Sequence, residues 1–268
     1  MADHVLAAGF VLVLWWASTG AILWVDGLPK STFRFSVGGA TAVALAGLFG
    51  LAWSSRVESP AAAYLAFSCA LAVWGWHELM FLLGILTGPR KVACPVHVRG
   101  WQRFRYATAA VLYHEVALAL TLAGVVALTW GGGNQVGSWT FFVLWIMRLS
   151  AKLNVFLGVR NLTEGFIPEH LRYMLSYFRK ARLNPLMPLS LLAGGAAFTY
   201  LVIQSVSSEA TAFMLVARTL VATILGLAVL EHLFLTLPVP DAWLWRWAMR
   251  TDQAALTHPP SNLRGEAP

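Results

Sequence analysis

The sequence predicts an all-α membrane protein: a polytopic transmembrane helical bundle of about seven spans, with the N-terminus outside, the C-terminus cytoplasmic and a cytoplasmic interfacial amphipathic helix. Three observations carry this. Of 268 residues, 58% are hydrophobic and 12% charged, against about a quarter charged in soluble domains. The apolar residues lie in blocks long enough to cross a hydrocarbon core of ~30 Å. Lysines and arginines fall almost entirely between alternate blocks.

The first block, about 5–26, has no basic residue before it. A secretory signal has a positive leader and a small-residue cleavage site, so this block reads as a retained helix. The second, about 36–54, carries Gly38, Ala42, Ala46 and Gly50 four apart, a stripe that suits close helix packing. The remaining spans are expected near 61–88, 105–130, 138–159, 186–205 and 209–237. Between the fifth and sixth lies 168–182, "PEHLRYMLSYFRKAR", with apolar Leu171, Met174, Leu175 and Phe178 beside basic residues. That pattern is an amphipathic helix along the interface. "DAWLWRWAMR" near the end reads as a second interfacial piece, among thirteen tryptophans that suit the headgroup region. Residues 1–250 form one transmembrane domain, and 251–268 read as a flexible tail.

Charge placement fixes the orientation. Loops 27–35, 89–104 and 160–185 and the C-terminus, with Arg105 at the mouth of the fourth span, hold fifteen lysines and arginines, while the opposite side holds only Arg56. The basic side is therefore cytoplasmic, as in a bacterial inner membrane, cytoplasmic or intracytoplasmic. The net charge of +7 follows from this topology, and no nucleic-acid partner is expected. The two cysteines, Cys69 and Cys94, form no motif.

The candidate chemistry lies inside the spans. Three of them carry adjacent histidine and glutamate: His77–Glu78, His114–Glu115 and Glu231–His232. The fifth brings Arg148, Lys152 and Asn154, and Glu164 follows it. From the ends of their spans, His77, His114 and Glu231 lie about 16, 14 and 9 Å deep on the cytoplasmic side. A carboxylate in hydrocarbon is costly and faces a partner inside the bundle. Imidazole with carboxylate suits iron, zinc or manganese, and ferritin-like proteins build di-metal sites from such side chains on four helices. His77, Glu78, His114, Glu115, Glu164, Glu231 and His232 are thus candidate ligands of an iron di-metal site. Neither Glu-x-x-His spacing nor His-x-x-x-His boxes are present. For any single pair, hydrogen-bonded packing is the stronger reading; three pairs at one depth favour metal. A haem between His77 and His114 and a proton relay are the alternatives. Arg148 and Lys152, four apart on one face, neutralise the carboxylates or, with Asn154, hold a substrate carboxylate. Arg218 reads as structural, Glu169–His170 as a solvated interfacial pair, and His4 and His97 have no evident partners.

The block "MRLSAKLNVFLGVRNLTEGFIPEHLRYMLSYF" (147–178), with "LPKSTFRFS", "GWHELMFLLG", "YHEVAL" and "EHLFL", resembles the PuhE family, the photosynthetic complex assembly protein 2 family. The resemblance implies a phototrophic bacterium and a gene near that of the reaction-centre H subunit. It also implies a role in assembling the reaction centre and its core antenna, or in bacteriochlorophyll supply to them. Partners would then be reaction-centre or antenna subunits, or pigment-synthesis enzymes, besides the lipid bilayer. Two functions compete: an assembly factor whose histidines are structural or ligate haem or bacteriochlorophyll, and a di-iron oxidase or hydroxylase acting on a tetrapyrrole or another lipophilic pigment precursor. A transporter is a weaker third, for no repeat or broken-helix pair supports it.

Overall fold

The computed structural model describes residues 2–162, 167–207, 209–237, 244–245 and 247–248. Its elements are α1 (Ala2–Asp26), α2 (Phe33–Ser54), α3 (Pro60–Leu82), α4 (Gly100–Leu128), α5 (Val136–Leu157), α6 (Leu186–Ser205) and α7 (Ala212–Thr236). Each is long and apolar enough to cross a membrane, and the described residues form no named strand. The chain is a polytopic helical bundle.

The central helix is α3. α3 begins Pro-Ala-Ala-Ala, capped by the Ser59 side chain on the Ala62 amide. Alanines let neighbours approach closely, and α3 buries twelve of its residues where α1 buries three. It packs on α2, α5, α7, α1 and α4, and α7 forms a second hub for α6, α5 and α1. Phe67, Phe141, Leu51, Leu118 and Leu220 fill the core between them.

The packing face of α2 is one residue off the expected stripe. Ala42 and Ala46 are exposed, and Gly38 has open space around it. The buried line is Ala44, Gly47, Leu51 and Ser54, where Gly47 and Gly50 meet Cys69 and Val73 of α3.

Two boundaries move, and both concern the candidate site. α3 stops at Leu82, six residues short of the expected end. Gly84 adopts φ +74°, a conformation only glycine reaches cheaply, and turns the chain onto α4. There the Arg90 amide donates to the Ala109 carbonyl (3.2 Å) and the His114 amide to the Thr87 carbonyl (2.9 Å). Gly88 lies so close that a Cβ on it would sit 2.1 Å from the Ala109 oxygen. α4 starts five residues early, at Gly100, and projects past α3 on the basic side.

The segment expected as an amphipathic α-helix is a 3-10 helix, Glu169–Tyr177, with Leu171, Met174 and Tyr177 buried. Its apolar residues recur every three positions, and in a 3-10 helix residues three apart eclipse on one face. Beyond it the chain is extended, and Val159 and Lys180 form a parallel bridge. Arg103 locks the cap by donating to the Phe156 and Tyr177 carbonyls (3.3 and 2.5 Å), and Arg90 donates to the Tyr177 hydroxyl (2.7 Å). His170, expected to be solvated, sits 2.8 Å from the Leu82 carbonyl and caps the end of α3. The expected flexible tail, 251–268, lies outside the described residues.

Candidate functional site

Two of the three His–Glu pairs meet. α3 and α5 run parallel, α4 antiparallel, and their polar residues face one another near the basic ends. Adjacent residues of a helix point ~100° apart, so each pair splits between neighbours. On α3, His77 faces α4, with Nε2 2.9 Å from the Thr121 hydroxyl. Glu78 faces α5 and accepts from Arg148 at 3.1 Å. On α4, His114 points inward, its ring 4.7 Å from Phe81 and 6.4 Å from His77. Glu115 turns to α5, accepting from Lys152 (2.5 Å) and from the Trp145 indole (3.3 Å). The centre is thus two ion pairs beside two imidazole rings.

His114 is its least satisfied member. The side chain is completely buried, and neither ring nitrogen has a hydrogen-bond partner among the described residues. Its Nε2 stands 3.9 Å from Glu78 Oε1, too far for a hydrogen bond. Glu78 Oε1 and His77 Nδ1 are likewise buried and unpartnered. Each such group costs about 1–3 kcal/mol, and native structures retain few of them.

The third pair goes elsewhere. His232 is buried with Nδ1 2.8 Å from the Ala228 carbonyl and Nε2 3.0 Å from the Ser150 hydroxyl. Ser150 reaches Ser190 of α6 (2.9 Å), and the Asn154 amide donates to Ser190 (3.1 Å) and to the Ser150 carbonyl (3.0 Å). This polar seam joins α5, α6 and α7. Glu231 is exposed, near enough to Arg148 to act on it electrostatically. Glu164 lies outside the described residues. The six described candidates thus divide between two places, and among the described residues no three His, Cys, Asp or Glu side chains are arranged to hold a metal ion. Glu115 is already engaged by a cation and an indole, and Glu78 by a guanidinium.

Of the expected substrate contacts, Arg148 is the accessible one, with 45% of its side chain exposed; Lys152 is a quarter exposed and Asn154 fully buried. Arg218 donates to the Gln204 carbonyl (2.6 Å), as a structural residue does. His4 has a partner that sequence reasoning missed, the Thr219 hydroxyl at 2.9 Å. Sequence reasoning also missed Thr121, Trp145 and Phe81. Thr121 was within reach, for it follows His114 by seven residues, two turns along one face; the other two carry no polar signal at this spacing. Tyr173 and Thr87, behind His114, were missed as well; burial raises the Tyr173 phenol above its ordinary range.

Comparison with known proteins gives a family and a relative. A family model described as "Protein of unknown function (DUF3623)" matches residues 1–255. A protein of Rhodobacter capsulatus described as "Uncharacterized 30.4 kDa protein in puhA 5'region" is 37% identical over 248 residues, which cover 91% of this chain and 90% of the relative. No solved structure matches.

Proposed function

The chain belongs to the DUF3623 family, and on that premise we propose that it serves the assembly of the photosynthetic reaction centre and core antenna, or the supply of bacteriochlorophyll to them, through its intramembrane His/Glu centre. The relative's printed name, which ties it to the puhA region, supports the process. One observation supports the centre: a completely buried imidazole with no partner on either nitrogen among the described residues, beside two ion pairs that join α3, α4 and α5. A packing histidine is hydrogen-bonded, as His232 is. An unpaired one fits a group kept ready for an exchangeable partner.

The chain's residues divide the work. Arg148 and Lys152 neutralise Glu78 and Glu115, so the carboxylates stay in the bundle without a metal. Arg148, half-exposed on the flank of α5, is placed to meet an acidic or ester group of a lipophilic partner. His77 and His114 offer imidazole nitrogens, the ligand type that tetrapyrrole metals take.

The test uses a Rhodobacter capsulatus strain that lacks the 37% identical relative. Its membranes should show lowered near-infrared absorption from the reaction centre and core antenna, and this full chain should restore it. Normal absorption in the deletion strain would overturn the proposal.

A further inference from the structure

Nine buried side-chain atoms have no hydrogen-bond partner among the described residues, and six of them share one place: Tyr173 Oη, Thr87 Oγ1, His114 Nδ1 and Nε2, Glu78 Oε1 and His77 Nδ1. They belong to the 3-10 cap, the turn after α3 and the His/Glu centre. Tyr173 belongs to the 3-10 cap, and its hydroxyl lies against Thr87, near enough to interact but without a hydrogen bond of normal geometry. Thr87 holds the His114 amide through its carbonyl (2.9 Å). His114 Nε2 is 3.9 Å from Glu78 Oε1, and His77 ends the line at Thr121 (2.9 Å).

We propose that these groups form a hydrated track, a file of internal water running from the basic face beneath the 3-10 cap to the His/Glu centre. Water suits this set better than an ion. Hydroxyls, imidazole nitrogens and a carboxylate oxygen need both donors and acceptors, and one water supplies both to two to four neighbours. The nearby carboxylates are already matched by Arg148 and Lys152, so no surplus charge calls for a cation. The close seating of Gly88 on α4 keeps Thr87 beside it, its carbonyl accepting from the His114 amide. The inference concerns how the centre is reached, and it stands or falls apart from what the protein serves.

The experiment uses the full chain in lipid nanodiscs with nitrogen-15-labelled histidine, the His114 signal being identified by its loss in His114→Phe. Solid-state magnetisation transfer from water should reach the His114 ring. Exchange of that ring with heavy water should slow about tenfold or more in Tyr173→Phe and in Thr87→Val. Thr140→Val, which removes an unpartnered hydroxyl on α5 away from the track, should leave it unchanged. No water transfer in the unaltered protein, exchange in both track variants as fast as in the unaltered protein, or a His114 signal of a metal-bound ring would each overturn the track.

Discussion

At the scale of single residues, the two ion pairs do different work from the histidines. Glu115 and Lys152 are each mostly buried, so removing one partner strands the other charge. Lys152→Met is expected to destabilise the protein by about 2–4 kcal/mol, between exposed and fully buried pairs. Adding Glu115→Gln should recover most of it, as thermal unfolding in detergent would show; additive losses would mean that the two do not act as a pair. The pairs themselves were legible, because adjacent His and Glu inside an apolar span announce themselves. Which pairs converge was not. Glu231–His232 looks like the others in sequence, and its separate fate depends on Ser150 and Ser190, ordinary residues whose position only packing reveals.

At the scale of elements, the span count and order were legible because each helix repeats one signal over twenty residues or more. The ends were less so. Hydropathy continues through "LLGILTG", yet α3 stops at Leu82, because Gly84 turns the chain and the rest packs against α4 instead of prolonging the helix. Reading depth from sequence therefore misplaced His77. It lies about 8 Å from the end of its helix, while His114 lies about 21 Å into α4. The two meet because α4 extends past α3. Gly88→Ala should disrupt this junction and cost about 1–3 kcal/mol by overpacking, with loss of function. Gly38→Ala, in open space, should change stability by less than about 0.5 kcal/mol. Equal effects in a melting comparison would contradict the packing described.

At the scale of the whole molecule, the chain closes on itself. Trp245 packs edge-on to Trp15 at 5.2 Å and donates to the Trp16 carbonyl (3.1 Å), while the Trp16 indole donates to the Leu244 carbonyl (3.0 Å). Trp247 lies against Gly20 and the Trp16 ring. The expected interfacial segment thus meets α1 some 9–16 Å above its basic end, a long-range pairing that composition does not specify. Trp245→Ala should lose about 1–2 kcal/mol of this closure, and a protease should cleave the C-terminal stretch faster; unchanged cleavage would show that the clasp contributes nothing.

The bundle explains how the centre is held, and the centre is what the proposed function requires. His114→Phe separates the two. It keeps an aromatic ring against Phe81 and removes two nitrogens that have no protein partner among the described residues, so stability should hold or rise. The most direct measurement is the near-infrared absorption of membranes from the deletion strain carrying this variant at wild-type protein level. If the centre does the work, the variant folds and the reaction-centre and antenna bands stay low. Full restoration of those bands by a well-folded His114→Phe protein would contradict it.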